Sequence, residues 1–324
     1  VDESFIIKES LEETILKIKP DYILKGKEHE NSFNIEDHLI KDYGGRLVFS
    51  SGEVVFSSFD LIKKSLESKD KIRFEVPFDF LNRHSISKKS LRNLINKFSN
   101  LNILVIGDLI IDEYITCEPL GMSQEDPTIV VKPINSNKFI GGAGIVAAHA
   151  AGLGANVKYI TITGQDAIKD FAITELNNYG VKTCIFIDET RPTTLKQRFR
   201  TKGKTLLRVS HLHQNAINNK IQKDIIFEIK NNINQINLLI FSDFNYGCMP
   251  TEMVNEIIDI ANNNNIMMIA DSQSSSQVGD ISRFKGMSLI TPTEREARIS
   301  LRDNESGLVV LAEKLRKHSL SKNV

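Results

Sequence analysis

Four apolar residues, Ile103 to Ile106, run without a break and stop at Gly107-Asp108. A short apolar run ended by glycine is the pattern of a strand buried on both faces of a parallel sheet, and it is far too short to cross a membrane. Later, Gly141-Gly142-Ala143-Gly144 leads into IVAAHAAGLGA, whose alanine content favours helix. Glycines that open a helix leave backbone N–H groups pointing at whatever lies in front of them. They serve equally well as a tight turn where two backbones pack closely. Asp112 tips the balance, because a carboxylate together with a Gly-Gly backbone suits a ligand rich in hydroxyls.

ILVIGDLIIDEY, then GGAGIVAAHAAGLGANV, then TGQD resemble, in that order, the opening of a ribokinase-type (PfkB) carbohydrate kinase. The resemblance extends over roughly residues 100 to 300. Within the family it is to the heptose-phosphate kinase part of bifunctional enzymes of ADP-heptose synthesis. It implies an α/β fold, a ribokinase-like doubly wound and mostly parallel sheet with a small β lid. It also implies ATP and Mg²⁺ as the phosphoryl-donor system.

Charge excludes other classes. The 324 residues carry 41 basic and 41 acidic side chains, so nothing in the balance favours nucleic acid or an anionic membrane. No run of eighteen apolar residues occurs and the start lacks a signal-peptide pattern, so a soluble, cytoplasmic protein is expected. Cys117, Cys184 and Cys248 are isolated and not in CxxC spacing, which reads as reduced, buried thiols. The seven histidines form no ligand pattern with them, and no zinc site is expected. The chain opens on Val1 and in mid-pattern, as expected of an excerpt from a longer protein.

Towards the N-terminus, FIIKESLEETILKIK has helical spacing and YIL reads as a short strand leading to Lys25-Gly26-Lys27. RLVFS is a second strand, and FSSFDLIKKSL a helix start capped by Ser57 or Ser58. Basic residues at a strand end beside helix-capping hydroxyls can hold phosphate; as plain alternatives, the lysines are solvated and the serines merely cap. KPDYILKGKEHE and GGRLVFSSGEVVFSSFDLIKKSL resemble the C-terminal half of a cytidylyltransferase-like, Rossmann-like nucleotidyltransferase domain. That resemblance implies nucleotide or sugar-phosphate contacts at Lys25, Gly26, Ser57 and Ser58. The expected organisation is therefore 1–68, nucleotidyltransferase domain (C-terminal part); 69–100, linker and helix; 101–324, sugar kinase domain lacking its C-terminal part. Leu91, Leu94, Ile95 and Phe98 fall on one helical face, expected to pack against a neighbour.

In the kinase-like region, EYITCEP and TIVVKPINS suit a small projecting sheet, which in the resembled family is a lid over the sugar and a surface for homodimers. TTLKQRFRTKGKTLLRVS reads as a hairpin turning at Lys202-Gly203-Lys204. Thr194, Lys196 and Arg198 share one strand face, where two cations meet either solvent or an anion. The T-x-x-K-x-R pattern of the family places Lys196 and Arg198 near the substrate phosphate. Asp243 and Asp271 fall at carboxyl ends of strands, where open α/β sheets bind ligands.

The resemblance then implies substrate contacts at Asp112, Gly141, Gly142, Lys196, Arg198 and Asp243. It implies ATP and Mg²⁺ contacts at Asp271, Thr293, Glu294, Arg295 and Glu296. Thr293 stands where the family pattern TPN-x-x-E has Asn, Tyr246 where it has Lys, and Ile145 where related kinases carry Asn. No GAGD, which would bring the general base, and no HxGH occurs, so no catalytic residue is assigned. The expected function is ATP-dependent phosphorylation of a sugar phosphate of the heptose 7-phosphate type, coupled to nucleotidyl transfer from a nucleoside triphosphate. The alternatives are another sugar or nucleoside kinase of the family, and a degenerate, non-catalytic binding or assembly module.

Overall fold

The computed structural model describes residues 9–26, 33–50, 77–274 and 279–324. The chain forms two compact units, Val1–Phe80 and Leu81–Val324.

In the first unit, α1 (Leu11–Ile18) starts at a capping box in which Ser10 and Glu13 satisfy each other's backbone N–H. Strands β1 (Tyr22–Gly26) and β2 (Arg46–Ser50) pair in parallel, with Lys25 opposite Phe49 and Gly26 opposite Ser50. Parallel neighbours need a crossover, and α2 (Ile35–Lys41) lies between them in the chain. Ile15 of α1 and Ile40 of α2 are buried apolar residues of this unit.

The division falls within α3 (Phe78–Arg83). α4 (Lys88–Asn96) follows, and it departs from expectation: Leu91, Leu94 and Ile95 remain about half exposed, and no residue of the helix is buried. Its N-terminus is held locally by a Ser87–Ser90 capping box. The remainder of KKSLRNLIN is mostly polar, so the helix stands with its apolar stripe uncovered among the described residues.

The second unit is built on a parallel sheet ordered β12-β11-β10-β3-β6-β7. Its strands are β3 (Asn102–Gly107), β6 (Asn156–Thr163), β7 (Lys182–Ile187), β10 (Leu238–Asp243), β11 (Met267–Ser272) and β12 (Leu289–Ile290). From β3 the chain runs one way through β6 and β7, then returns to the other side for β10, β11 and β12. Alternation along β3 explains why helices cover both faces. Ile103 and Val105 pack with Ala143, Ala147, Ala172 and Leu176 of α5 (Ala143–Gly152) and α6 (Ala167–Asn178). Leu104 and Ile106 pack with Ile225, Ile229, Val254 and Ile257 of α7 (Asn219–Asn232) and α8 (Thr251–Asn263). At the β12 end, α9 (Glu294–Leu301) and α10 (Leu308–Ser319) contribute Ala297, Leu311 and Leu315 to the second of these cores.

Four strands form a separate sheet ordered β5-β4-β8-β9. β4 (Leu109–Met122) and β5 (Ile129–Gly142) make a long antiparallel ribbon. β8 (Leu195–Thr201) adds to β4 in parallel, and β9 (Lys204–His211) closes the hairpin. The two segments read separately in the sequence therefore belong to one sheet. Among the described residues no helix is long and apolar enough to cross a membrane. Cys117 and Cys248 are buried as expected, whereas Cys184, on the edge strand β7, is only partly covered.

Candidate substrate site

The chain reverses direction between β3 and β10, and in an open parallel sheet the crevice beyond the strand ends at such a point is where ligands bind. β3 ends at Gly107, where a Cβ would collide with the Ser242 carbonyl of β10. Asp108 follows, almost wholly buried. Its carboxylate accepts the backbone N–H groups of Phe244 at 2.8 Å, Tyr246 at 3.4 Å and Cys248 at 3.3 Å. Its carbonyl accepts the Ala143 N–H at 2.9 Å, fixing the start of α5. Burial, reinforced by the charge of Asp243, pushes the Asp108 carboxyl up to about 6 against the pull of the three N–H donors. Gly142, the N-cap of α5, sits at φ 57° and ψ −142°, a conformation open to glycine and costly for other residues.

From this base β4 carries Asp112 outward. Gly141 and Asp112 meet: a Cβ at position 141 would lie 2.6 Å from the Asp112 Oδ2. Arg198 donates to the Oδ1 of the same carboxylate, and both side chains keep about a quarter of their surface exposed. That ion pair raises the Arg198 pKa although partial burial acts against it. Lys196 is the register partner of Asp112 on β8, and its Nζ lies 5.0 Å from the centroid of the Tyr246 ring and 5.9 Å from that of Phe244. Asp112, Gly141, Lys196 and Arg198 thus share one neighbourhood at the root of the four-stranded sheet, with Gly142 one residue on.

The other residues singled out in the sequence lie elsewhere. Asp243 is 1% exposed: its Oδ2 accepts from Arg283 Nη2 at 2.7 Å and Ser272 Oγ at 2.9 Å, and its Oδ1 from the Asn245 N–H at 3.0 Å. It braces β10 against β11 rather than facing open space. Asp271 accepts the Thr291 hydroxyl at 3.0 Å, and burial, with the nearby charges of Glu296 and Asp243, raises its carboxyl above the ordinary range. Thr293 and Glu296 form the capping box of α9. The Glu296 carboxylate also accepts the Ser274 N–H at 3.0 Å. Glu294 pairs with Arg298 at 2.6 Å, and Arg295 is exposed. In the first unit Lys25 is engaged by Glu36 at 2.7 Å and Asn34 at 2.8 Å, so it is not a free solvated charge. Ser57, Ser58 and Lys27 lie outside the described residues.

Three organising residues escaped the sequence reading. Asp108 was legible only as the stop after a strand. Asp166, within TGQD, caps α6 through the Lys169 N–H and holds the Thr193 N–H at 2.8 Å, anchoring the segment that delivers Lys196 and Arg198. Arg191 is buried and donates to Asp188 at 2.7 Å, the Tyr246 carbonyl at 3.0 Å and the Asn215 carbonyl at 2.9 Å. It bolts three loops together behind the Tyr246 ring. The signal available for it was a lone arginine in ETRPTT, which carries no spacing information.

Residues 100–324 match the profile of the pfkB family of carbohydrate kinases. The chain belongs to this family. Similar curated proteins include the bifunctional protein HldE of Aliarcobacter butzleri, 31% identical over 210 residues that cover 63% of this chain and 43% of that one. The bifunctional protein HldE of Helicobacter pylori strain J99 is 32% identical over 200 residues, covering 61% and 42%. The chain spans less than half the length of these curated relatives. Among solved structures, phosphofructokinase-2 of Escherichia coli in complex with fructose-6-phosphate superposes with a TM-score of 0.53 at 16% identity, over 68% of this chain and 72% of that one. A carbohydrate kinase from Agrobacterium tumefaciens gives 0.50 at 17% identity, over 69% and 70%. At these identities the likeness is one of fold, and it is the ribokinase-like one: a doubly wound, mostly parallel sheet with a second, smaller sheet.

The β11–β12 end of the sheet fits a nucleotide with its Mg²⁺ in one respect. Among the described residues no three carboxylate, histidine or cysteine groups converge into a metal cage. Mg²⁺ does not need one, since it keeps several waters and is usually held by one or two carboxylates and the phosphates themselves. The carboxylates at this end are those of Asp271, which accepts the Thr291 hydroxyl, and of Glu296, whose two oxygens accept the Ser274 and Thr293 N–H groups. When bound, the ion would neutralise charge on the phosphate oxygens.

Proposed function

We propose that the second unit transfers a phosphoryl group from ATP to a sugar that already carries a phosphate, of the heptose 7-phosphate type. The observation that carries this reading is the contact between Asp112 and Gly141. A carboxylate beside a glycine backbone accepts hydrogen bonds from adjacent hydroxyls while leaving room for the ring to approach. The basic face that β8 and the turn after it present supplies the positive field that favours a phosphorylated sugar over a free one. Asp108, Asp166, Arg191 and Asp243 hold these groups in place through the loops they clamp, as positioning residues. Phosphoryl transfer depends mainly on such positioning and on charge stabilisation. The heptose is proposed from the resemblance of residues 100 to 300 to heptose-phosphate kinases.

For residues 1–68 the proposal is the C-terminal part of a nucleotidyltransferase domain, which would convert the phosphorylated sugar to a nucleotide-activated one. The parallel β1–β2 pair with α2 between them supports it. Lys25, held by Glu36, would act there as a structural residue unless phosphate displaces the carboxylate.

Calorimetry on the 324-residue chain tests the kinase reading. Sedoheptulose 7-phosphate should bind more tightly than sedoheptulose, and Asp112→Asn should weaken both by about 30-fold or more, the equivalent of roughly 2–3 kcal/mol. Equal binding by the Asp112→Asn protein would remove Asp112 from the site.

A further inference from the structure

The four-stranded sheet carries a second feature, farther out than Asp112. Strand register places residues of one face in a grid. Asp112 lies level with Lys196 and Phe139, Tyr114 with Arg198 and Asn137, and Thr116 with Arg200 and Asn135. Beyond Asp112 this face opens into a cleft of ≈ 630 Å³ lined by Tyr114, Thr116, Asn137, Phe139, Arg200 and Lys202, ample for a phosphorylated sugar.

The charges in and beside that cleft are unevenly compensated. Of Lys196, Arg198, Arg200 and Lys202, only Arg198 has an ion-pair partner among the described residues, and that partner is Asp112. Lys196 is drawn inward over the Tyr246 ring. Arg198 and Arg200 both stack on Tyr114, their guanidinium carbons 5.1 and 5.5 Å from its ring centroid. Arg198 has its counter-charge in Asp112, so of the two guanidiniums on this ring only that of Arg200 is without an anion among the described residues. The register shifts at Arg200: Phe199 faces Leu207 but Arg200 faces Thr205, an irregularity of the kind that re-aims a side chain. Arg200 Nη2 donates to the Gly203 carbonyl at 2.9 Å, which holds the guanidinium at the cleft wall.

We propose that the phosphate already present on the substrate is held in this cleft by Arg200 and Lys202, with Tyr114 as the platform beneath, and that Arg198 positions Asp112 instead of binding the phosphate. This rests on the sugar-phosphate reading of the Asp112 site and assigns the phosphate end of the ligand. The spacing suits it: Arg200 stands level with Thr116, but its guanidinium reaches back over Tyr114, which lies two residues and about 7 Å beyond Asp112 along the strand. A six- or seven-carbon sugar phosphate spans a comparable distance from its ring hydroxyls to its ester.

The test is calorimetric titration of the 324-residue chain with sedoheptulose 7-phosphate and sedoheptulose, on the native protein, Arg200→Gln, Arg200→Lys and Asp112→Asn, each checked for a native melting transition. The native chain should prefer the phosphate ester by about tenfold or more, the scale of a charge-assisted contact. Arg200→Gln should erase that preference while leaving the free sugar's affinity unchanged, and Arg200→Lys should restore part of it. Asp112→Asn should weaken ester and free sugar alike. A preference that survives Arg200→Gln overturns the phosphate assignment and leaves the Asp112 reading standing. Indifference of both ligands to Asp112→Asn overturns that reading whatever Arg200→Gln does. A native chain that binds the two ligands equally, or neither, overturns the assignment as well.

Discussion

Arg198 donates to the carboxylate of Asp112 from the strand alongside, joining the two charges that most define the candidate site. Each side chain keeps about a quarter of its surface exposed, so solvent screens the pair only in part. A coupling of about 1 kcal/mol is expected from a double-mutant cycle of Asp112→Asn and Arg198→Gln in urea, at the upper end for exposed pairs. The single Arg198→Gln change should also loosen sugar binding without altering the preference for a phosphate ester. Additive stabilities would mean that the two residues sense solvent rather than each other.

The adjacent glycines of the site should separate binding from folding. At Gly141 a methyl group would press on Asp112 Oδ2 at 2.6 Å, and a side chain can swing away. Gly141→Ala should therefore reduce sugar affinity by about tenfold with little change in melting temperature. At Gly142 the same methyl would meet the Asp108 carbonyl and the side chain of Ile110, at a φ of 57° that alanine disfavours. Gly142→Ala should lower stability by about 2 kcal/mol or more. The pair of melting curves decides it, and equal losses would contradict the division.

How much of this was legible follows from the distances over which the residues act. Ile103 to Gly107 declared itself a buried strand because burial on both faces demands unbroken apolar side chains. Thr293 and Glu296 were conspicuous as parts of one local motif. Asp108 was not, because its partners Phe244, Tyr246 and Cys248 lie 136 to 140 residues away. Asp243 was read as ligand-facing from its place at a strand end, yet Arg283 and Ser272 turn its carboxylate inward, and nothing near Asp243 announces either partner. The stripe of Leu91, Leu94 and Ile95 was legible as a helix face, but helical spacing does not specify what covers it.

Asp243 yields a third prediction. Its carboxylate is 1% exposed and Arg283 Nη2 is its one ion-pair partner among the described residues. Removing the cation alone leaves a buried charge uncompensated, which costs about 3–5 kcal/mol. Arg283→Met should thus destabilise the chain severely, whereas the double change Asp243→Asn with Arg283→Met should recover much of the loss. Urea midpoints of the two proteins check this, and a mild effect of the single change would return Asp243 to the list of ligand contacts.

Thr293 stands where the family pattern has asparagine, and it caps α9 in a box with Glu296. Threonine and asparagine both place a side-chain oxygen over the first turn of a helix. Thr293→Asn should change stability by less than about 0.5 kcal/mol, and Thr293→Ala should cost about 1 kcal/mol. A large loss with asparagine would show that the hydroxyl has a partner other than the Glu296 N–H.

The last prediction concerns pH, and its sign is set by Asp108. Burial first, and the charge of Asp243 second, raise its carboxyl from 3.8 to about 6 in the folded chain. Between these two values the folded protein holds a proton that the unfolded chain has released, so stability from this group is greatest at low pH and falls as pH rises through about 6. Two pH units correspond to at most about 3 kcal/mol, an upper figure because the group is coupled to Asp243. Glu113, Asp166 and Asp188 act in the opposite sense: their carboxyls are lowered, and their contribution is lost on acidification through the ordinary carboxylate range and below. Comparison with Asp108→Asn isolates the component of interest. The amide should also destabilise the protein at all pH values, since its NH₂ group cannot accept from the Phe244, Tyr246 and Cys248 N–H groups as the carboxylate does. Between pH 7 and pH 5 the native chain should gain about 1 kcal/mol relative to the Asp108→Asn protein in urea unfolding. Parallel pH profiles for the two would mean that the three N–H donors hold the Asp108 carboxylate ionised, and that its burial does not govern its titration.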